Sequence, residues 1–161
     1  MFKKIVSLMI AFVMILSMMV VGVVNVSAAT IVQQGSCGDN VTYTLDDSGV
    51  LTISGTGNIG YYAFMNNTSI REVIIEDGVT SIGDAAFSGC SSLTSVTIPD
   101  SVTTIAPLMF MNCDSLTSIT IPDSVTTIDH DVFVNCVSLT SITIPDSVTS
   151  IGSQAFVNCC S

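Results

Sequence analysis

The sequence predicts a β-rich solenoid of 23-residue coils, and three observations carry that prediction. Phe64, Phe87, Phe110, Phe133 and Phe156 stand 23 residues apart, and no phenylalanine other than these occurs beyond Phe12. Aligned on them, the chain falls into the rows 70–92, 93–115, 116–138 and 139–161, preceded by a half row, 59–69. Every apolar position then forms a ladder, for example Ile70, Leu93, Leu116, Leu139, or Ile82, Ile105, Ile128, Ile151. One row cannot bury such a face alone, but stacked rows make a continuous core.

Within a row, the LxxIxI stretch ends in two-residue alternation rich in β-branched side chains, which predicts a short parallel strand with Val96 and Ile98 inward. Pro-Asp-Ser follows in the last three rows as a turn signal, since proline cannot continue a sheet ladder. The next piece, VTTI, is a second short extended segment. The small-residue arc that holds the phenylalanine has room for no more than a turn or two of helix.

The repeated text LTSITIPDSVTTI, a few variable residues and then F-x-N/G-C-x-S resembles the BspA-like leucine-rich repeats of bacterial surface proteins. The resemblance covers 59–161, and GSCGDNVTYTLDDSGVLTISGTG just before it is similar to the N-terminal hairpin cap of such repeats. It implies a leucine-rich-repeat solenoid with short parallel strands, a leader and cap hairpin over 30–58, and no evident C-terminal cap. It also implies an extracellular or cell-surface setting, with matrix or plasma proteins among the partners of some family members.

Residues 1–29 form a separate object. Lys3 and Lys4 precede an apolar run over 5–24, and the small residues of Val26-Ser27-Ala28-Ala29 suit signal-peptidase cleavage. An uncut run of this length is also about long enough to span a bilayer, so membrane contact is expected only if the segment is retained. Removing it leaves Arg71 as the one strong base against 13 acids, a net charge of 1 − 13 = −12. That balance excludes nucleic acid, whose binding rests on lysine and arginine.

Four of the 6 cysteines, Cys90, Cys113, Cys136 and Cys159, occupy one column. Stacked side chains point the same way, which suits neither a disulfide nor a tetrahedral zinc site, so each is read as a small, buried, slightly polar residue beside the phenylalanine. Asn67 holds that column in the half row, as expected if hydrogen bonding sets the position. Cys37 and Cys160 stand outside the column and are read as the reactive or paired thiols, with Cys160 a route to self-association. A second column, Asp77, Asp100, Asp123 and Asp146, is expected to cap its own turns. The sharper alternative is a calcium ladder of stacked carboxylates. No cofactor is expected.

The outward side of the first strand reads as hydroxyl files, Ser95, Ser118 and Ser141 beside Thr97, Thr120 and Thr143, with a further file at Thr103, Thr126 and Thr149. Such files make a solvated wall, and they could also meet a glycan or another extended surface. Partner specificity must come from what differs between rows: Asp84-Ala85-Ala86, Pro107-Leu108-Met109, His130-Asp131-Val132 and Ser153-Gln154-Ala155, with Met111 expected beside Leu108 and Met109 in a small apolar patch. His130, the lone histidine, stands where other rows carry Asp84, Pro107 and Ser153, which marks a solvent-facing arc rather than a catalytic base. No enzyme is expected.

The last row ends at Ser161 without a polar capping unit, so the chain is expected to be part of a longer surface protein, to associate through its last repeat, or to fray there. The expected function is an extracellular binding module for a protein or glycan. The alternative is a structural spacer.

Overall fold

The computed structural model describes residues 28–159. The apolar run over 5–24, Cys160 and Ser161, and the readings placed on them, lie outside the described residues. Ten strands follow one another: β1 (Ile31–Gly38), β2 (Val41–Asp46), β3 (Val50–Gly55), β4 (Gly57–Ile59), β5 (Glu72–Ile75), β6 (Val79–Ile82), β7 (Ser95–Thr97), β8 (Thr104–Ile105), β9 (Thr127–Ile128) and β10 (Ser150–Ile151).

The first three strands are an antiparallel meander. Its first turn needs a left-handed residue, supplied by Asn40 at φ 57°. Its second is tied by Asp46, whose Oδ1 accepts the N–H groups of Ser48 and Val50 and the Ser48 hydroxyl. β3 then changes partner type. Its other edge pairs in parallel with β5, Leu51 opposite Val73 and Ile53 opposite Ile75, and β5 pairs in parallel with β7. In the last two coils this line continues as a single parallel bridge, Thr120 to Thr143.

A second line of parallel pairs runs along the VTTI segments, β4 with β6, β8 with β9, and β9 with β10. The stretch read from the sequence as a half row is therefore the second part of a full coil, to which β3 and β4 supply the rest. Its strand text was hidden because Ser54-Gly55-Thr56 replaces the Pro-Asp-Ser turn of later rows.

The arc contains no helix. It is a run of turns with two left-handed residues per coil, Tyr62 and Asn66 in the first, then Ala85 and Gly89, Leu108 and Asn112, Asp131 and Asn135, Gln154 and Asn158, all between φ 53° and 74°. This conformation turns alternate N–H groups along the solenoid axis. Tyr62, Phe64 and Asn66 donate to the carbonyls of Asp84, Ala86 and Ser88 in the next coil, and three such rungs recur at every later boundary, as in Phe110 to Val132. The N-or-G position of the repeat is explained by the second left-handed residue, where asparagine and glycine are least penalised. Asparagine adds a ladder of its own there, Asn158 donating to Asn135 and Asn135 to Asn112 at 2.8 and 2.7 Å.

The apolar ladders fill the interior. The phenylalanine rings stack at centroid distances of 5.6, 5.9, 5.6 and 5.3 Å, with planes within 15° of parallel. Tyr43 of β2 meets the first of them, Phe64, edge-on at 5.0 Å. Phe87, Phe110 and Phe133 are fully buried, whereas Phe156 is half-buried and Ile151 is 51% exposed, because no described residue stacks on the fourth full row. Phe110→Ala should lower stability by about 3–5 kcal/mol, the usual cost of emptying a closed aromatic site. Phe156→Ala should cost less, and urea unfolding of the two variants measures the difference.

Candidate functional site

The hydroxyl files differ in exposure and in hydrogen bonding. Thr97, Ser118, Thr120, Ser141 and Thr143 are exposed and Ser95 is half-buried. Among the described residues, none of these six hydroxyls has a protein hydrogen-bond partner. By contrast, Thr126 and Thr149 each donate both their N–H and their hydroxyl to the carbonyl one coil earlier, Thr103 and Thr126 respectively. Thr94 and Thr117 do the same toward Arg71 and Thr94. The Thr126 and Thr149 hydroxyls thus hold coils together, while the files on the first-strand line do not.

The aspartate column is exposed at all four positions, Asp77, Asp100, Asp123 and Asp146. These carboxylates cap nothing among the described residues. The neighbouring serines make a different contact, bridging coils: Ser124 donates to the Val102 carbonyl at 2.7 Å and Ser101 to that of Val79. Nor do three or more His, Cys, Asp or Glu side chains converge as a metal site anywhere among the described residues.

The arcs separate their variable positions by burial. The third residue points inward, with Ala86, Met109 and Val132 fully buried and Ala155 nearly so. The small apolar patch therefore consists of Leu108 and Met111, both half-buried, without Met109. His130 is exposed, and Asp131 beside it is half-buried in the left-handed region at φ 58°. The His130 backbone N–H donates to Asp129 Oδ1 at 2.7 Å and its Nδ1 lies 2.8 Å from the same oxygen. These contacts hold the Asp129 carboxyl below its usual range.

Cys90, Cys113, Cys136 and Cys159 each donate through sulfur to the phenylalanine carbonyl of the preceding coil, Phe64, Phe87, Phe110 and Phe133, at 3.0 to 3.3 Å. In the column's first place, Asn67 accepts the Ser69 N–H through Oδ1. Burial pushes the Cys90 thiol up to about 11 and the Cys136 thiol up to about 12, the latter helped by the neighbouring Cys159. Cys113 is raised further by burial and by its thiol neighbours. Cys37, expected to be reactive, is half-buried with its thiol pushed up to about 11 by that burial, so it carries little of the nucleophilic thiolate at neutral pH.

Sequence reasoning passed over Tyr61 and Tyr62, which are 70% and 58% exposed at the start of the first arc. The signal for them was a pair of aromatic residues at positions where later rows place Asp-Ala, Pro-Leu, His-Asp and Ser-Gln.

A stack of short parallel strands closed by turns, with a fixed interior and row-specific outer arcs, defines a leucine-rich-repeat protein. More closely, the chain belongs to the BspA-type leucine-rich-repeat family, whose model matches residues 51–161 in 6 copies. The match begins within β3, in line with the additional coil formed by β3 and β4. A leucine-rich cell surface protein from Faecalibacterium prausnitzii is 33% identical with a TM-score of 0.65, over 76% of this chain and 36% of its own. A leucine-rich repeat protein from Bacteroides ovatus is 31% identical with a TM-score of 0.66, over 76% of this chain and 38% of its own. The leucine-rich repeat protein of T. pallidum is 29% identical with a TM-score of 0.64, over 74% of this chain and 65% of its own. A search of the curated proteins gives no match.

The thiol ladder makes stability depend on alkaline pH. Unfolded thiols titrate near 9.0, whereas the folded Cys90 and Cys136 thiols hold their protons to about 11 and 12. Between those values the unfolded chain binds fewer protons than the folded one, so stability falls as pH rises. The urea midpoint should start to fall above pH 9.0, and the fall should be shallower in a Cys90→Ala/Cys136→Ala variant.

Proposed function

We propose that the chain is a non-catalytic, extracellular binding module of bacterial surface-protein type, holding a protein or glycan against the first-strand face of the solenoid. The observation that carries this reading is the set of six hydroxyls at Ser95, Thr97, Ser118, Thr120, Ser141 and Thr143, with no protein partner among the described residues. Hydroxyls in a regular two-dimensional array both donate and accept, and their separation is set by the strand spacing, about 4.8 Å. An extended ligand can therefore contact several coils at once with little rearrangement of the protein.

Three features support an exported, surface-exposed setting: the signal-peptide pattern of residues 1–29, the excess of acidic residues, and the likeness to a cell surface protein at 33% identity. The row-specific arcs, with Met111, His130 and Asp131, supply a second flank on which partner choice can depend. A spacer reading has its own support, since the chain spans 36% and 38% of two of its structural neighbours, as one segment of a longer solenoid would.

Binding of the purified chain to immobilised fibrinogen, fibronectin and a glycan panel at physiological salt distinguishes the two. The expected result is saturable binding to at least one of them, weakened by about tenfold or more in a Thr97→Glu/Thr120→Glu/Thr143→Glu variant, as for loss of a contact centre. Absence of binding by the folded protein would favour the spacer.

A further inference from the structure

The junction between the N-terminal meander and the first two coils holds a cleft of about 520 Å³. Its rim carries Asp39, Asn40, Asn58, Tyr61, Ser81 and Asp84, and this volume lies within the range of about 300–1,000 Å³ usual for small-molecule sites. We infer that this cleft is a binding site for a neutral saccharide, stacked on Tyr61 and hydrogen-bonded by Asp39, Asn58 and Asp84.

The walls exist because the meander and coils approach each other by bare backbone. A Cβ on Gly38 would overlap the Asn58 carbonyl, and one on Gly83 would lie 2.6 Å from the Tyr61 nitrogen. Glycine at these two places lets the chains meet closely, so the polar side chains stand around the cleft instead of filling it. Gly60 donates to the Cys37 carbonyl at 2.7 Å and Gly83 to that of Ile59 at 2.9 Å, which locks the meander, the first arc and β6 together.

The chemistry of the rim selects the ligand. Tyr61 is 70% exposed, and its ring offers an electron-rich face of the kind that packs against the C–H groups of a pyranose. The Thr80 hydroxyl lies 3.2 Å from Asn58 Oδ1 and 3.3 Å from the Gly57 carbonyl, so its one hydrogen is shared between them, and the Asn58 N–H₂ remains able to donate to a ligand. Among the described residues, the Asp39 and Asp84 carboxylates have no hydrogen-bond or ion-pair partner, so both can accept from ligand hydroxyls. An amide donor, two charged acceptors and an aromatic plate together match a polyol ring. The carboxylates repel sulfated or uronic acid sugars. A quaternary ammonium ligand would need a cage of several rings, and Tyr61 is the one aromatic residue on the rim.

This inference does not require the hydroxyl wall to bind anything, so the two can fail separately. The full chain, purified after secretion from a bacterial host, is titrated calorimetrically with maltohexaose, cellohexaose and chitohexaose, with choline chloride and a heparin hexasaccharide as controls. Saturable binding of at least one neutral hexasaccharide is expected. Tyr61→Ala and Asp84→Ala should each weaken it by about tenfold or more, while Asp146→Ala, at an exposed position outside the cleft lining, should leave it nearly unchanged. Circular dichroism checks that each variant is folded. The inference is overturned if none of the three neutral sugars binds, if folded Tyr61→Ala binds as well as the parent, if Asp146→Ala alone abolishes binding, or if only choline or heparin binds.

Discussion

The structure depends on a constraint of direction: each coil must hand its backbone hydrogen bonds to the next. A buried backbone donor without a partner is costly, and short parallel strands of two to four residues, such as β6, β8 and β9, satisfy only part of a coil. The arc meets the remainder with two left-handed residues four positions apart in each coil, and the N–H groups of Phe64, Phe87, Phe110 and Phe133 between them all point forward onto carbonyls of the next coil. The phenylalanine ladder and the asparagine ladder both hang on that backbone. The side chains stack because the peptide groups beneath them are already in register.

That constraint divides the surface from the core in a way that bears on function. Residues whose polar groups are consumed by stacking, such as Thr126, Thr149, Ser101 and Ser124, have no freedom to recognise anything. What remains is the first-strand wall, the outer arc positions, and the rim where the meander meets the first coils. A binding protein built on this plan leaves its inward and coil-bridging residues out of recognition, and the few irregular places carry most of the chemical individuality. Tyr61, Asp84, Pro107, His130 and Ser153 share one column and no two are alike.

The fold was legible because a strict period makes errors visible: each inward position was written four or five times, and burial of Val73, Val96 and Ile119 follows the alternation. The coil made by β3 and β4 was not legible, since Ser54-Gly55-Thr56 replaced its turn and only the parallel pairing of Leu51 with Val73 reveals it. For the candidate site, composition located the hydroxyl files but could not tell a hydroxyl that bridges coils from one that faces solvent. Thr126 and Thr120 look equivalent in the sequence, and only the distance from the Thr126 hydroxyl to the Thr103 carbonyl separates them. The Asp39, Asn58, Tyr61 and Asp84 rim was beyond reach for a different reason, because it joins the meander, which carries no repeat, to variable positions of two coils.

The cysteine column shows how the same constraint shapes chemistry. An oxidising exterior favours disulfides between neighbouring cysteines. Yet in-register side chains leave their coil in parallel directions, whereas a disulfide needs Cβ vectors that converge. Each thiol also has its own acceptor one coil back, so sulfur replaces the hydroxyl or amide that a buried turn would otherwise require while adding little polarity. Burial then raises Cys90 to about 11 and Cys136 to about 12, far from the thiolate that exchange chemistry needs. Cys90, Cys113 and Cys136 are free thiols in the structure. Geometry and acidity therefore act in the same direction, and the column can stay reduced outside a cell as long as the stack stays folded.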